Sequence, residues 1–294
     1  MPAGQVGARC YNGVVAVVLA LASAVVYGAS DFLGGLSSRR APVFGVVAVS
    51  QVAGLTALLL LLPWLGGPTT AADLAWGAGA GLAGAAGLLL FFRTLATGVM
   101  SVVAPVTAVT AAAVPVLVGL LGGDRIGAWA AAGIVLALVA VVLVSAEGGL
   151  GALRAARPAS IGPALVAGVA FGLFFVLLDR TGSESGLTPL VAARVASVLM
   201  VLTVASAGRR ALRVPRVALP LVLLSGIGDM AANGLFLLAA QVDGPLAVVG
   251  VLTALYPVST VVLAQLVLRE RLVPAQAAGL ATAAGAVVLI TLPG

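Results

Sequence analysis

The chain has no histidine, no lysine and a single cysteine, Cys10. Without histidine it lacks the side chain that most often serves as a general base near neutral pH and as a metal ligand. One thiol excludes an internal disulfide, a thiol redox pair and Cys/His metal sites. No metal or cofactor is therefore expected. Charge is scarce too: 8% of the 294 residues are charged, against about 25% in an ordinary soluble domain. Aliphatic residues take that place, with 62% of the chain hydrophobic and a mean hydropathy of +1.24. No water-soluble fold of this length hides so much apolar surface, so the bilayer is the relevant solvent. The 15 basic residues are all arginine. They punctuate hydrophobic runs and form no continuous basic face with interleaved aromatics, which argues against nucleic acid as a partner. They suit loops at an anionic membrane surface.

A spanning helix needs about 20 mostly apolar residues. Ten stretches meet that requirement: 13–35, 43–64, 74–95, 99–121, 127–146, 161–179, 187–207, 217–240, 245–268 and 273–292. Spanning β-strands alternate polar and apolar residues, whereas these runs are unbroken. The expected fold is an all-α membrane protein. The first stretch has signal-peptide features: Arg9, an apolar run, then Ala22-Ser-Ala24 as a cleavage-like site. The run continues past that site to Leu36, so a retained helix is expected.

The stretch from Gly98 to Val144 occurs twice. Shifted by 146 residues it lands without a gap on Gly244 to Ile290. Thr107 meets Thr253, Ala108 meets Ala254, Arg125 meets Arg271, Gly133 meets Gly279, and Asp124 meets Glu270. Two related units follow, 1–147 and 148–294, separated by the polar linker 147–159. Each holds five spans. Five is odd, so the second unit enters the membrane from the opposite side. Ten helices in two inverted five-helix repeats are the plan of secondary transporters, with the substrate between repeats near the midplane. Arg9, Arg125 and Arg180 fall on the side that holds both termini. Arg39, Arg40, Arg154, Arg157, Arg209, Arg210, Arg213, Arg216, Arg269 and Arg271 fall on the other. The arginine-rich side is expected in the cytoplasm and the termini outside.

Polar groups within the apolar stretches are few, and each has a bland reading beside a functional one. Asp31 and Arg93 sit near the same end of the first and third spans. They form either a gate or a static pair, with headgroup snorkelling a further alternative. Asp229 lies mid-span in the eighth, with Asn233 one turn on and on the same face, and Arg194 lies in the seventh. Asp229 is expected protonated, paired with Arg194 or facing a wet cavity. Thr107, Thr110, Tyr256, Ser259 and Thr260 offer neutral hydrogen-bonding groups, or simply bond a nearby backbone. Tyr27, Phe171, Phe174 and Phe175 form either a cation-accepting wall or lipid-facing packing. Pro105, Pro115 and Pro257 interrupt backbone hydrogen bonds at mid-helix depth. Gly77 and Gly81 form a GxxxG pair for close packing within the bundle or between protomers. Asp124 and Glu270, beside arginines, read as interfacial anchors.

These motifs resemble the drug/metabolite transporter superfamily, in particular ten-helix transporters built from two EamA-type repeats. The features are the aromatic-Gly pairs Tyr27-Gly28 and Phe171-Gly172, the runs Phe91 to Gly98 and Phe236 to Gly244, and the acid–Arg ends of the fourth and ninth spans. Tyr256-Pro257 precedes Glu270 where the family keeps a proline; the first repeat has Ala111 there and Asp124 where Glu is usual. The resemblance implies transport of small metabolites, amino acids or drugs across a bacterial inner membrane, through a cavity lined by spans 1, 3, 4, 6, 8 and 9.

The function expected is a secondary transporter working by alternating access, an exporter in the first instance, with Asp229 or Asp31 coupled to protons. No GxxxxGK[ST] loop is present to bind a nucleotide. The alternatives are a facilitative exchanger or uptake carrier, a passive channel, or an intramembrane lipid-processing enzyme, for which no nucleophile–base set is evident. The partners are a small-molecule substrate and the lipid bilayer, and the chain is a monomer or homodimer.

Overall fold

The computed structural model describes residues 3–97, 100–145, 158–242, 244–269 and 271–292. Gly98, Arg154, Arg157, Glu270 and all but the last residues of the linker 147–159 lie outside the described residues.

Among the described residues, eleven helices make ten spans: α1 (Ala3–Ser38), α2 (Val43–Leu65), α3 (Ala71–Thr97), α4 (Met100–Leu121), α5 (Ala128–Ser145), α6 (Pro158–Asp179), α7 (Thr188–Ala207), α8 (Leu219–Gln241), α9 (Leu246–Thr253), α10 (Tyr256–Leu268) and α11 (Pro274–Thr291). All ten expected spans are long and apolar enough to cross a membrane. Helix α1 runs unbroken through 22–24, so the signal-like site lies inside a helix.

The ninth span is split. Pro257 has no N–H to offer the carbonyl of Thr253, and its ring crowds that carbonyl. The chain responds with a tight turn: Leu255 N–H donates to Leu252 O at 3.2 Å and Val258 N–H to Leu255 O at 2.9 Å. In the first half the equivalent residue is Ala111, and α4 stays continuous even though it contains Pro105 and Pro115.

Most of the extensive helix pairings cross between the first five spans and the last five. Helix α1 pairs with α8, and α6 with α3. Helix α4 pairs with α6, and α1 with α9 and α10. Helix α3 pairs with α7, and α2 with α8. Helices α5 and α11 pair with each other. Exchanging the halves leaves this pattern unchanged. The match extends to single residues: a carbon added at Gly133 would sit 2.7 Å from the Ile290 side chain, and one at Gly279 would sit 2.7 Å from the Val144 side chain. Gly133 and Gly279 are repeat equivalents, as are Val144 and Ile290.

The same close contacts give helix directions. Thr107 touches Ala164, and Val114 lies against Gly172, so α4 and α6 run parallel. Gly119 lies against Ala247 and Pro115 against Gly250, so α4 and α9 run antiparallel. Ser259 bonds Ala24 and Thr260 bonds Gly28, so α1 runs parallel to α10. Through this chain of contacts α1 and α6, the first helices of the two halves, point in opposite directions. Odd-numbered spans start at the arginine-poor end. There Trp64, Trp76 and Trp129 are exposed, a position suited to the membrane–water interface. Leu60, Leu117, Leu199 and Leu266 are exposed along the outside, where lipid covers them.

Small residues set the helix spacing. A carbon added at Gly54 would lie 2.7 Å from the backbone oxygen of Gly226. One at Gly77 or Gly81 would run into the backbone carbonyl of Pro189 or Ala193. The GxxxG pair therefore packs within the bundle, between α3 and α7. Gly81→Val and Gly133→Val are expected to destabilise by about 1–3 kcal/mol, the usual cost of overpacking. Gly162→Val, with open space around it, is the control. Thermal unfolding in detergent checks this, and equal midpoints for all three variants would contradict it.

Candidate functional site

Helix α1 carries Tyr27 and Asp31, one turn apart, into the centre of the bundle. Helix α8 faces it with Asp229 and Asn233, helix α7 supplies Arg194, and α10 begins with Tyr256. Gly228 permits the close crossing of α1 and α8, since the Ser30 hydroxyl occupies the place its side chain would take. Ser225 Oγ donates to Ser30 O at 2.9 Å and Ser23 Oγ to Ala232 O at 2.8 Å, tying the same two helices.

The Arg194 guanidinium meets the Asp229 carboxylate at 2.5 Å. Asn233 Nδ2 donates to Asp229 O at 2.7 Å and approaches Asp229 Oδ2 at 3.4 Å. Asn233 itself is 4% exposed, and its Oδ1 has no hydrogen-bond partner among the described residues. Arg194 is 11% exposed and Asp229 35% exposed. Burying either charge alone in an apolar interior is costly, and each satisfies the other. The open side of Asp229 marks a wet surface inside the bundle.

Asp31 lies one turn from Tyr27 and is exposed, and the charge of Asp229 reaches it. Tyr27 lies within electrostatic reach of Asp31, Asp229 and Arg194. An aromatic wall runs behind these charges. Tyr27 packs against Tyr256 and edge-on to Phe175, each with ring centres 6.2 Å apart. Phe175 continues the wall to Phe236 at 4.5 Å and to Phe174 at 5.2 Å.

Several expected residues stand elsewhere. Thr107 Oγ1 donates to Ala164 O at 3.1 Å and clamps α4 to α6. Thr110 Oγ1 donates to Val106 O of its own helix at 2.7 Å. Ser259 Oγ donates to Ala24 O at 3.3 Å, and Thr260 Oγ1 to Gly28 O at 3.1 Å. The hydroxyls of Thr107, Ser259 and Thr260 bind helices together, while that of Thr110 stays within α4. Phe171 packs edge-on to Phe91 at 6.3 Å, outside the Tyr27 group. Arg93 is exposed near the end of α3. An ion pair deep in the bundle joins Arg194 to Asp229. Span 7, absent from the expected lining, supplies its cation.

Sequence reasoning missed other groups. Gln51 and Ser197 share a buried hydrogen bond of 2.5 Å between α2 and α7. Asp124 was expected to be an interfacial anchor. Instead its Oδ2 accepts from Ala247 N–H at 2.9 Å and caps α9, as a carboxylate does at a helix N-terminus. The turn at Gly123, with φ of 100°, swings it there. The Gly-Gly-Asp sequence was the available signal.

The two ends of the hollow differ. At the arginine-poor end, Asp73 Oδ1 accepts from Gly182 N–H at 2.7 Å, Leu187 N–H donates to Leu65 O at 2.9 Å, and Gln241 Nε2 donates to Gly186 O at 2.9 Å. Every residue of α9 is buried there. Toward the arginine-rich end no residue of α10 is buried. The loop after α7 does reach the start of α2, with the Arg210 guanidinium 5.7 Å from the Phe44 ring centre. Among the described residues no group of three His, Cys, Asp or Glu could hold a metal.

Ten apolar crossings around a charged, aromatic-walled hollow define a polytopic all-α membrane protein. Residues 160–292 match the EamA-like transporter family. That match and the ten apolar crossings together support a membrane transporter. Comparison with curated proteins found no match. A crystal structure of another protein shares the fold, with a TM-score of 0.73 over 93% of this chain and 95% of that chain, at 19% identity.

Arg194→Gln and Asp229→Asn each leave one charge unanswered, and each is expected to destabilise by about 1–3 kcal/mol, the buried-pair cost discounted for partial exposure. The double variant should lose less than the sum of the two. A double-mutant cycle of thermal unfolding in detergent checks this; additive losses would mean the pair is not coupled.

Proposed function

We propose that the chain is a secondary transporter of small metabolites, amino acids or drugs, moving them by alternating access between inverted repeats 1–147 and 148–294. One observation carries the reading: Asp31 and Asp229 keep exposed surface inside a bundle whose helices are tied together at the arginine-poor end, while toward the other end no residue of α10 is buried. The reciprocal pairing of helices and the opposed directions of α1 and α6 support the inverted relation. The match of residues 160–292 to the EamA-like transporter family supports transport over catalysis.

The open end is the arginine-rich one, which loop charge places in the cytoplasm of a bacterial inner membrane, with the termini outside. A resting state open to the cytoplasm receives cytoplasmic cargo, which favours export. A facilitative exchanger is the second reading. It draws on the same geometry and differs only in whether a proton accompanies the cargo. The coupling carboxylate in this reading is Asp31, since Asp229 already answers Arg194.

The test is to lock the sealed end. In a Cys10→Ser background, Asp73→Cys and Gly182→Cys place two thiols together, because a carbon at Gly182 would sit 3.9 Å from Asp73 Cγ. Counterflow in proteoliposomes, screened over metabolite and drug panels, is expected to fall at least tenfold on oxidation and to return on reduction. Flux that neither saturates nor responds to the cross-link would overturn the reading.

A further inference from the structure

We propose that the ligand of this hollow is an organic cation, an ammonium on an aromatic or aliphatic body, with its charge at Asp31 and its body against Tyr27, Tyr256 and Phe175. The inference rests on reading the hollow as the transport site.

The charges that reach Tyr27 are two acids and one base: Asp31, Asp229 and Arg194. The base is consumed by Asp229. The remainder is one carboxylate, exposed to the hollow and joined by no ion pair among the described residues. A carboxylate surrounded by protein is stabilised by an opposite charge and destabilised by a like one. An anion would have to displace Asp229 from a short, largely buried bond to find a positive partner.

Hydrogen-bonding capacity points the same way. The hydroxyls of Thr107, Thr110, Ser259 and Thr260 all donate to backbone carbonyls. Ser225 and Ser23 do so as well. Besides the two phenols, the buried hydroxyls of Ser30 and Thr253 have no hydrogen-bond partner among the described residues. Acceptors remain open: the Asp31 carboxylate and the buried Asn233 Oδ1. The open carboxylate and amide oxygens complement a ligand that donates, and an ammonium is all donor. The rings add the third element. Tyr27, Tyr256 and Phe175 form a continuous group next to the carboxylate, and aromatic faces attract cations within about 6 Å.

Isothermal titration of the purified protein in detergent tests this with four probes of one shape and different charge: phenethylammonium, 2-phenylethanol, 3-phenylpropanoate and phenylalanine. Phenethylammonium is expected to bind at least tenfold more tightly than the other three. Asp31→Asn should lose at least tenfold for phenethylammonium, and Asp31→Glu should retain binding. No binding of the amine, equal binding of the alcohol, anion or zwitterion, or unchanged affinity in Asp31→Asn would overturn the proposal. The wild-type ranking alone decides it if a variant fails to fold. Cation binding without counterflow would sink the transport reading and leave the ligand class standing. Counterflow of anions alone would do the reverse.

Discussion

Helices gain no hydrophobic energy by leaving lipid for one another, because lipid tails are as apolar as leucine. What holds this bundle is the approach of one backbone to another, and glycine and alanine make that approach possible. Gly54 against Gly226, Gly133 against Ile290 and Gly279 against Val144 bring helices of different halves within van der Waals reach. The hydroxyls that bond across these crossings, Ser23, Ser225 and Thr107, add direction to packing that is otherwise nonspecific. Each half draws most of its packing from the other. The strongest pairings run between halves, so the bundle is assembled by interleaving and not by docking two finished domains.

Within such a body the charged groups are costly, and their arrangement is correspondingly economical. Arg194 and Asp229 neutralise each other at the midplane. Asp31 escapes the penalty differently, by facing the hollow. The carboxylates at the ends are held by backbone: Asp73 accepts from Gly182 and Thr70, and Asp124 caps α9. Two of these carboxylate contacts also seal one mouth of the hollow, so electrostatics and access are handled by the same residues.

The ten crossings were legible because spanning length and apolarity are direct readings of composition, and helix boundaries mostly fell within a few residues of expectation. The Arg194–Asp229 pair was legible too, since a mid-span carboxylate must be answered and few cations were available. What could not be read were contacts that depend on how helices cross. Thr110 and Ser259 carry groups able to line a cavity, but nothing in the local sequence says whether a hydroxyl turns inward or bonds a carbonyl. Asp31 and Arg93 shared an expected depth, yet depth does not fix azimuth around a helix. Asp124 looked like an anchor because its partner, Ala247 N–H, lies 123 residues away.

The two copies of the duplicated stretch differ at one position that has mechanical weight. Where Ala111 keeps α4 whole, Pro257 divides the ninth span at Ala254 and Leu255. A whole helix resists bending along its length, while a divided one swings about its joint. The two central helices are thus a fixed post and a hinged arm, and the joint lies beside Tyr256, at the hollow itself. Whatever binds beside Tyr256 meets the ninth span at its break, between α9 and α10.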